Sequence, residues 1–419
     1  MQLKGTYHPR LIFIILYLTY ICAGMISILV GPTLPLLAIH TGVPLDIAGW
    51  AFTVSAFGFL SGVILAGFIS ARFGPKTALL SGLFVMAVSS LVTPLTHSYW
   101  LLLLAQFVQG MGFGFLDVSI NVTVQLVFAE TLSETLNNLH SAFGLGALIA
   151  PLVLSVTLQL TSEILLAYLC GTIIGVVALI MLLPQVVPSP SPQRAVSQDN
   201  VTVSSSILRQ PLLWLMALQI GLYVGAEVGF GNWIVTVVGF SAKITLALAA
   251  PCATFLWLGL TLGRLVSAQV LRRGLVSEYS MLYICVIGSF ISGIVVALFP
   301  AQLVISFGAS GLVGFFFGPL FPGIMAIATR WFAHALGTVS GTLLVSAGLF
   351  SMVLPVMMGF LIPAIGVNWV IALPALASLA IALPLSLAYW LQRRTLQLPM
   401  DRHTMGQENI SSPIQQKQR

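Results

Sequence analysis

Long apolar runs, each broken by a few polar or turn-forming residues, cover this chain almost from end to end. A helix needs about 20 mostly apolar residues to cross the hydrocarbon core of a bilayer, so runs of that length predict spanning helices. The pattern predicts twelve, over 11–39, 47–70, 77–96, 99–128, 138–160, 164–184, 211–239, 244–270, 276–299, 301–328, 335–363 and 367–391. Where runs nearly abut, charges or turn residues divide them, as at His97 and across Arg72-Phe73-Gly74-Pro75-Lys76. The stretch 185–209 (QVVPSPSPQRAVSQDNVTVSSSILR) breaks the pattern with Pro, Ser, Gln and charge, and reads as a flexible linker. It leaves a six-span bundle in 1–184, another in 210–391, and a polar tail over 392–419 that reads as disordered.

Composition agrees. Hydrophobic residues make up 58% of the 419, only 6% are charged, and mean hydropathy is +1.06. That excludes a soluble domain and predicts an all-α integral membrane protein. The net charge of +6 does not point to nucleic acid, because the basic residues do not cluster. Fourteen of the sixteen, from Lys4 and Arg10 to Lys417 and Arg419, fall at the termini or after even-numbered spans. Lys243 falls on the other side, and Arg264 lies within a span. The positive-inside rule then places both termini in the cytoplasm. The expected location is the plasma membrane, or the cell inner membrane in a bacterium. Cys22, Cys170, Cys252 and Cys285 lie in spans and read as small apolar packing residues. The first run is too long for a signal-peptide core and reads as the first helix.

The halves echo each other at an offset of about 200 residues, which suggests two repeats related along the membrane normal. Gly144-Leu145 with Pro151 matches Gly348-Leu349 with Pro355. Gly110, Gly112 and Gly114 find counterparts in Gly311 and Gly314, and Arg72-Phe73-Gly74 in Arg272-Arg273-Gly274.

Against so little charge, two acids inside spans stand out: Asp117 in the fourth and Glu227 in the seventh. A charge at mid-bilayer costs roughly 2.5–3.5 kcal/mol on insertion scales, so such residues face a cavity or a partner. Both sit in polar stripes at helical spacing. Gln106, Gln109, Asp117, Asn121 and Gln125 share one face of the fourth span. Gln219, Tyr223 and Glu227 share one of the seventh, and Thr254, Trp257, Thr261 and Arg264 one of the eighth. Such stripes line water-accessible cavities or act as polar glue between helices. The acids admit three roles: a site that loads and releases a proton, an acceptor for substrate hydroxyls, or a partner for Arg264. His140, expected to open the fifth span near the cytoplasmic surface, is a candidate proton relay or a solvated helix-start residue, with Asn137 or Asn138 as a cap. Trp50, Trp233 and Trp257 offer aromatic faces and Tyr20 and Tyr223 hydroxyls, the mixture a sugar-binding cleft uses.

No catalytic motif appears: there is no H-E-x-x-H, G-x-S-x-G or P-loop pattern, so an enzyme and ATP coupling are not expected. No cofactor or metal is implied.

The segment Gly67-Phe-Ile-Ser-Ala-Arg72-Phe-Gly74-Pro-Lys76 resembles the loop between the second and third helices of the major facilitator superfamily, Gly-x-x-x-Asp-Arg-x-Gly-Arg-Lys/Arg. Gly67, Arg72, Gly74 and Lys76 match, whereas the family's Asp is Ala71 here and its first basic residue after Gly is Pro75. The resemblance extends to twelve spans, a central linker and two pseudo-symmetric bundles. Gly112-Phe-Gly-Phe-Leu-Asp117-Val-Ser-Ile-Asn121, Leu139-His140-Ser-Ala-Phe-Gly144 and Gly225-Ala-Glu227-Val-Gly-Phe-Gly-Asn-Trp233 are similar to the branch of fucose permease and glucose transporters. It implies secondary transport by alternating access. The expected activity is proton-coupled symport of a sugar or similar polar solute by a monomer. Asp117, Glu227, Asn121, His140, Arg264, Tyr223, Trp233, Trp257, Gln109 and Gln219 are the candidate coupling or binding residues. Efflux of an amphipathic compound and a non-transporting sensor are the alternatives.

Overall fold

The computed structural model describes residues 8–188, 205–332 and 335–397. Most of the expected linker (189–204) and tail (398–419) lies outside the described residues. Among the described residues, twelve helices are long and apolar enough to span a membrane: α1 Pro9–Thr41, α2 Leu45–Phe73, α3 Pro75–Leu95, α4 Tyr99–Val127, α5 Glu134–Thr161, α6 Leu165–Leu182, α7 Pro211–Ala242, α8 Leu246–Arg272, α9 Glu278–Leu298, α10 Leu303–Trp331, α11 Gly337–Ile365 and α12 Ala372–Gln392. No strand occurs among the described residues.

Local chemistry sets the helix ends. Pro9, Pro75 and Pro211 occupy first-turn positions, where a missing N–H costs nothing. Gly42 closes α1 in the left-handed region (φ +69°), its N–H reaching the carbonyls of Ala38 and Ile39. The turn from α2 to α3 pivots on Gly74 at φ +86°, a value a side chain would strain. Lys76 on the next turn donates from Nζ to the carbonyls of Leu183 and Gln185, each at 2.7 Å, and so ties this turn to the end of α6. The helix containing α5 begins at Leu132, earlier than the expected 138. His140 is therefore two turns inside the helix, and Thr131 rather than Asn137 or Asn138 stands at its N-cap position.

The repeat is visible in the helix packing. α2 and α8 each open with a separate turn, Leu45–Ala48 and Leu246–Ala249, before restarting at Trp50 and Pro251. α2 lies against α4 through Gly58, Gly62, Gly110 and Gly114, where backbones touch so closely that any Cβ would collide. α8 meets α10 the same way through Gly259, Gly263, Gly314 and Gly318. The structural partners of Gly110 and Gly114 are thus Gly314 and Gly318, a register shifted from the one the sequence suggested.

Helices α1–α6 pack among themselves, as do α7–α12, and the two sets meet along α1–α7, α5–α8 and α2–α11. The seam lies toward the end of the bundle away from the chain termini, here termed the distal end. Thr53 Oγ1 donates to Met352 O (2.9 Å), Ser155 Oγ to Ala247 O (2.6 Å) and Thr254 Oγ1 to Leu148 O (3.2 Å) across it. Trp50 stacks edge-on against Phe360, and Phe52 against Trp233. At the other, terminal end, His140 on α5 and Thr261 and Arg264 on α8 are exposed.

Candidate functional site

Three helices of the first half converge at one level, about 12–16 Å in from the terminal end by helical rise. α4 carries Asp117, α1 Tyr20 and α5 His140. Tyr20 Oη donates to Asp117 Oδ1 at 3.0 Å, and the Tyr20 ring lies 5.4 Å from the His140 imidazole. Asp117 and His140 are close enough to interact electrostatically. Asn121, one turn on, turns its amide to the Asp117 backbone carbonyl (2.7 Å) and not to the carboxylate. Asp117 is half-buried, and Tyr20 is buried.

The second half presents Glu227 near the middle of α7, one turn from Tyr223. Arg264 of α8 is near enough to both to interact electrostatically, yet no ion pair forms between Arg264 and either acid. Tyr223 Oη is buried, with Glu227 and Arg264 as its polar neighbours. Arg264 also acts electrostatically on His140. It therefore stands between Glu227 on one half and His140 on the other. An aromatic string, Phe59–Phe113–Phe143–Trp257, crosses from the first half to the second, with centroid separations of 5.2, 5.5 and 6.5 Å. Trp257 is half-buried and its Nε1 has no acceptor.

Other candidates are placed differently. Trp233, expected on a cavity wall, is wholly buried in the distal seam, with Nε1 donating to Pro355 O (2.9 Å). Gln109 is buried inside the first half, reaching Ile26 O at 3.4 Å. Gln219 is buried inside the second half, with Nε2 unpartnered. Gly67 and Arg72 lie exposed on the terminal face, Arg72 over the Phe73 ring. Glu278 at the start of α9 is paired with Arg330 of α10 at the surface. Tyr20 carries the hydrogen bond to Asp117, a role that its place as one more aromatic hydroxyl in an apolar run does not announce. Among the described residues no cluster of three or more His, Cys, Asp or Glu side chains could hold a metal ion.

The sequence pattern of the Major Facilitator Superfamily matches residues 16–318. The chain belongs to the Major Facilitator Superfamily. It is a multi-pass membrane protein of that family. The zebrafish protein Sodium-dependent glucose transporter 1 is 23% identical over 399 residues, covering 85% of this chain. The chain spans 65% of that relative's length and smaller shares of other curated relatives it matches. Among solved folds, a nucleoside transporter, NupG, superimposes with a TM-score of 0.74 at 11% identity, covering 91% of this chain and 99% of that one. The E. coli fucose:proton symporter FucP does so with a TM-score of 0.58 at 18% identity, covering 90% and 98%. These two likenesses establish the superfamily fold.

Proposed function

We propose that this superfamily member carries a sugar or similar polyhydroxylated solute in symport with protons, by alternating access of its two halves. The observation that carries the reading is the pairing of two polar groups on opposite halves, Tyr20–Asp117–His140 and Tyr223–Glu227 with Arg264, at the face that is open toward the terminal end. Trp257 Nε1, on a half-buried side chain and without an acceptor, is a donor that solute hydroxyls can meet. The aromatic string supplies flat faces for C–H surfaces.

The glucose and fucose named for the relatives agree with this chemistry. The names of several relatives carry sodium dependence, but the Asp117 group favours a proton. Its neighbours are a hydroxyl donor and an imidazole, whereas a hard cation seeks several oxygen ligands. Residues 1–184 and 210–391 then act as the two rocking bodies, joined by the linker at 185–209. The distal seam of Thr53, Ser155, Thr254 and Trp233 opens as the terminal face closes. Both termini lie in the cytoplasm, in the plasma membrane or a bacterial inner membrane, and the carrier works as a monomer without catalysis. Asn121 and Gln109 serve to position α4. The test is uptake of a panel of labelled sugars into proteoliposomes with and without an imposed inward proton gradient. Gradient-driven accumulation of at least one sugar supports the proposal; gradient-indifferent flux of every sugar contradicts it.

The aromatic string also favours a second reading, expulsion of an amphipathic compound. Proton-driven export of such compounds, with no sugar flux, would select it.

A further inference from the structure

We infer that the second half contains its own gated water route, which leads from the terminal face to Glu227 through the interior of the helix bundle and not through the central cavity. The inference rests on the proton-coupled reading above and adds Glu227 as a second proton site beside Asp117, because the route's use is to deliver protons to Glu227.

Two adjoining spaces trace the path. A cavity of about 490 Å³ opens at the terminal face between α9, α10 and α12, walled by Glu278, Tyr279, Ile327, Arg330, Trp331 and Gln392. Its walls are polar: Arg330 pairs with Glu278, and Tyr279 donates its hydroxyl to Gln392. A second, narrow cleft starts from the same Tyr279 and Ile327 and continues inward to Met216 and Gln219 of α7. In this conformation it has no room for a water molecule, so the shared pair Ile327 and Tyr279 closes the route.

Beyond the cleft the polar groups continue in step. Gln219 Nε2 is buried in a side chain exposed by 2% and has no protein hydrogen-bond partner. Such atoms are rare in folded proteins and are commonly satisfied by water. One turn on lies Tyr223, exposed by 1%, its hydroxyl beside Glu227 and Arg264. Glu227 follows one turn later. Residues four apart on a helix rise by about 6 Å, close to the span of one water bridging two polar atoms. A water held by Gln219 Nε2 would therefore reach the Tyr223 hydroxyl, which lies beside Glu227, once Ile327 moves aside. A chain of polar side chains and waters is what a proton relay inside a membrane requires.

Radiolytic hydroxyl labelling of the full chain in lipid nanodiscs tests this, because labelling follows water beside a side chain. Tyr223 and Met216 report on the route. Tyr168, buried and hydrogen-bonded to Thr33, and Met86, buried in the first half, are dry controls. Tyr223 and Met216 should label several-fold faster than the controls. Ile327→Ala should raise their labelling and Ile327→Phe should lower it. Labelling no faster than the controls overturns the route. Labelling indifferent to both Ile327 variants also overturns it, since the water then comes from the central cavity. Proton-driven uptake by the same preparation separates the two ideas: persistent labelling without any proton-driven uptake removes the delivery of protons to Glu227.

Discussion

Gly31 lies where α1 crosses α7 in the distal seam. A Cβ built there would stand 2.7 Å from Asn232 Cα and 2.8 Å from its carbonyl oxygen, both backbone atoms that no rotamer change can move. Ordinary contact begins near 3.4 Å, so Gly31→Ala must push the helices apart by several tenths of an ångström. Overpacking of this kind costs about 1–3 kcal/mol. The collision exists only while the distal seam is closed, so the cost is a difference between two conformations. It should shift their ratio roughly 5- to 150-fold toward the distal-open state. Spin labels at exposed Ile39 and Phe240, beside the distal ends of α1 and α7, would report the change by pulsed dipolar spectroscopy in a cysteine-free background. A longer-distance population should grow. Gly24→Ala is the control. Its Cβ would meet Phe143 O at 2.2 Å, but within the first half, so it should lower thermal stability without adding the long distance. An unchanged distance distribution in Gly31→Ala would refute the claim that this crossing closes the distal side.

Other consequences are open to measurement. Tyr20→Phe removes the donor 3.0 Å from Asp117. A hydrogen bond to a charged group is worth about 1.5–3 kcal/mol, so proton-driven uptake should fall roughly ten- to hundredfold and the thermal midpoint should fall with it. Trp233→Phe loses the bond to Pro355 O and some packing volume. Because the bond joins two helices of the second half, the loss should cost about 1–2 kcal/mol and be read as a lower thermal midpoint. Lys76→Met frees the carbonyls of Leu183 and Gln185. Amide exchange over 183–188 should quicken while transport persists.

The twelve helices were legible because bilayer thickness imposes a length and an apolar content that a sequence shows directly. The boundaries were less so. The helix of α5 begins at Leu132 because backbone hydrogen bonds do not need apolar side chains, and Glu134, Asn137 and Asn138 hid its first turns from a hydropathy reading. The break in α10 at Gly318-Pro319 left no such signal, since the run stays apolar through it. Asp117, Glu227 and Arg264 stood out through the cost of their charge, and the structure sets all three in polar surroundings. Trp233 misled because an indole beside a polar stripe looks the same whether its N–H faces a cavity or a carbonyl 122 residues away. Tyr20 was hidden for the complementary reason: its partner, 97 residues on, lies on another helix.

The central claim is that Asp117 carries the coupled proton. Asp117→Asn keeps the size of the side chain and its capacity to accept from Tyr20, and removes only titration. Reconstituted into proteoliposomes, this variant should exchange labelled for unlabelled solute at near the normal rate, yet fail to concentrate it against a gradient. Normal uphill accumulation by Asp117→Asn would contradict the account.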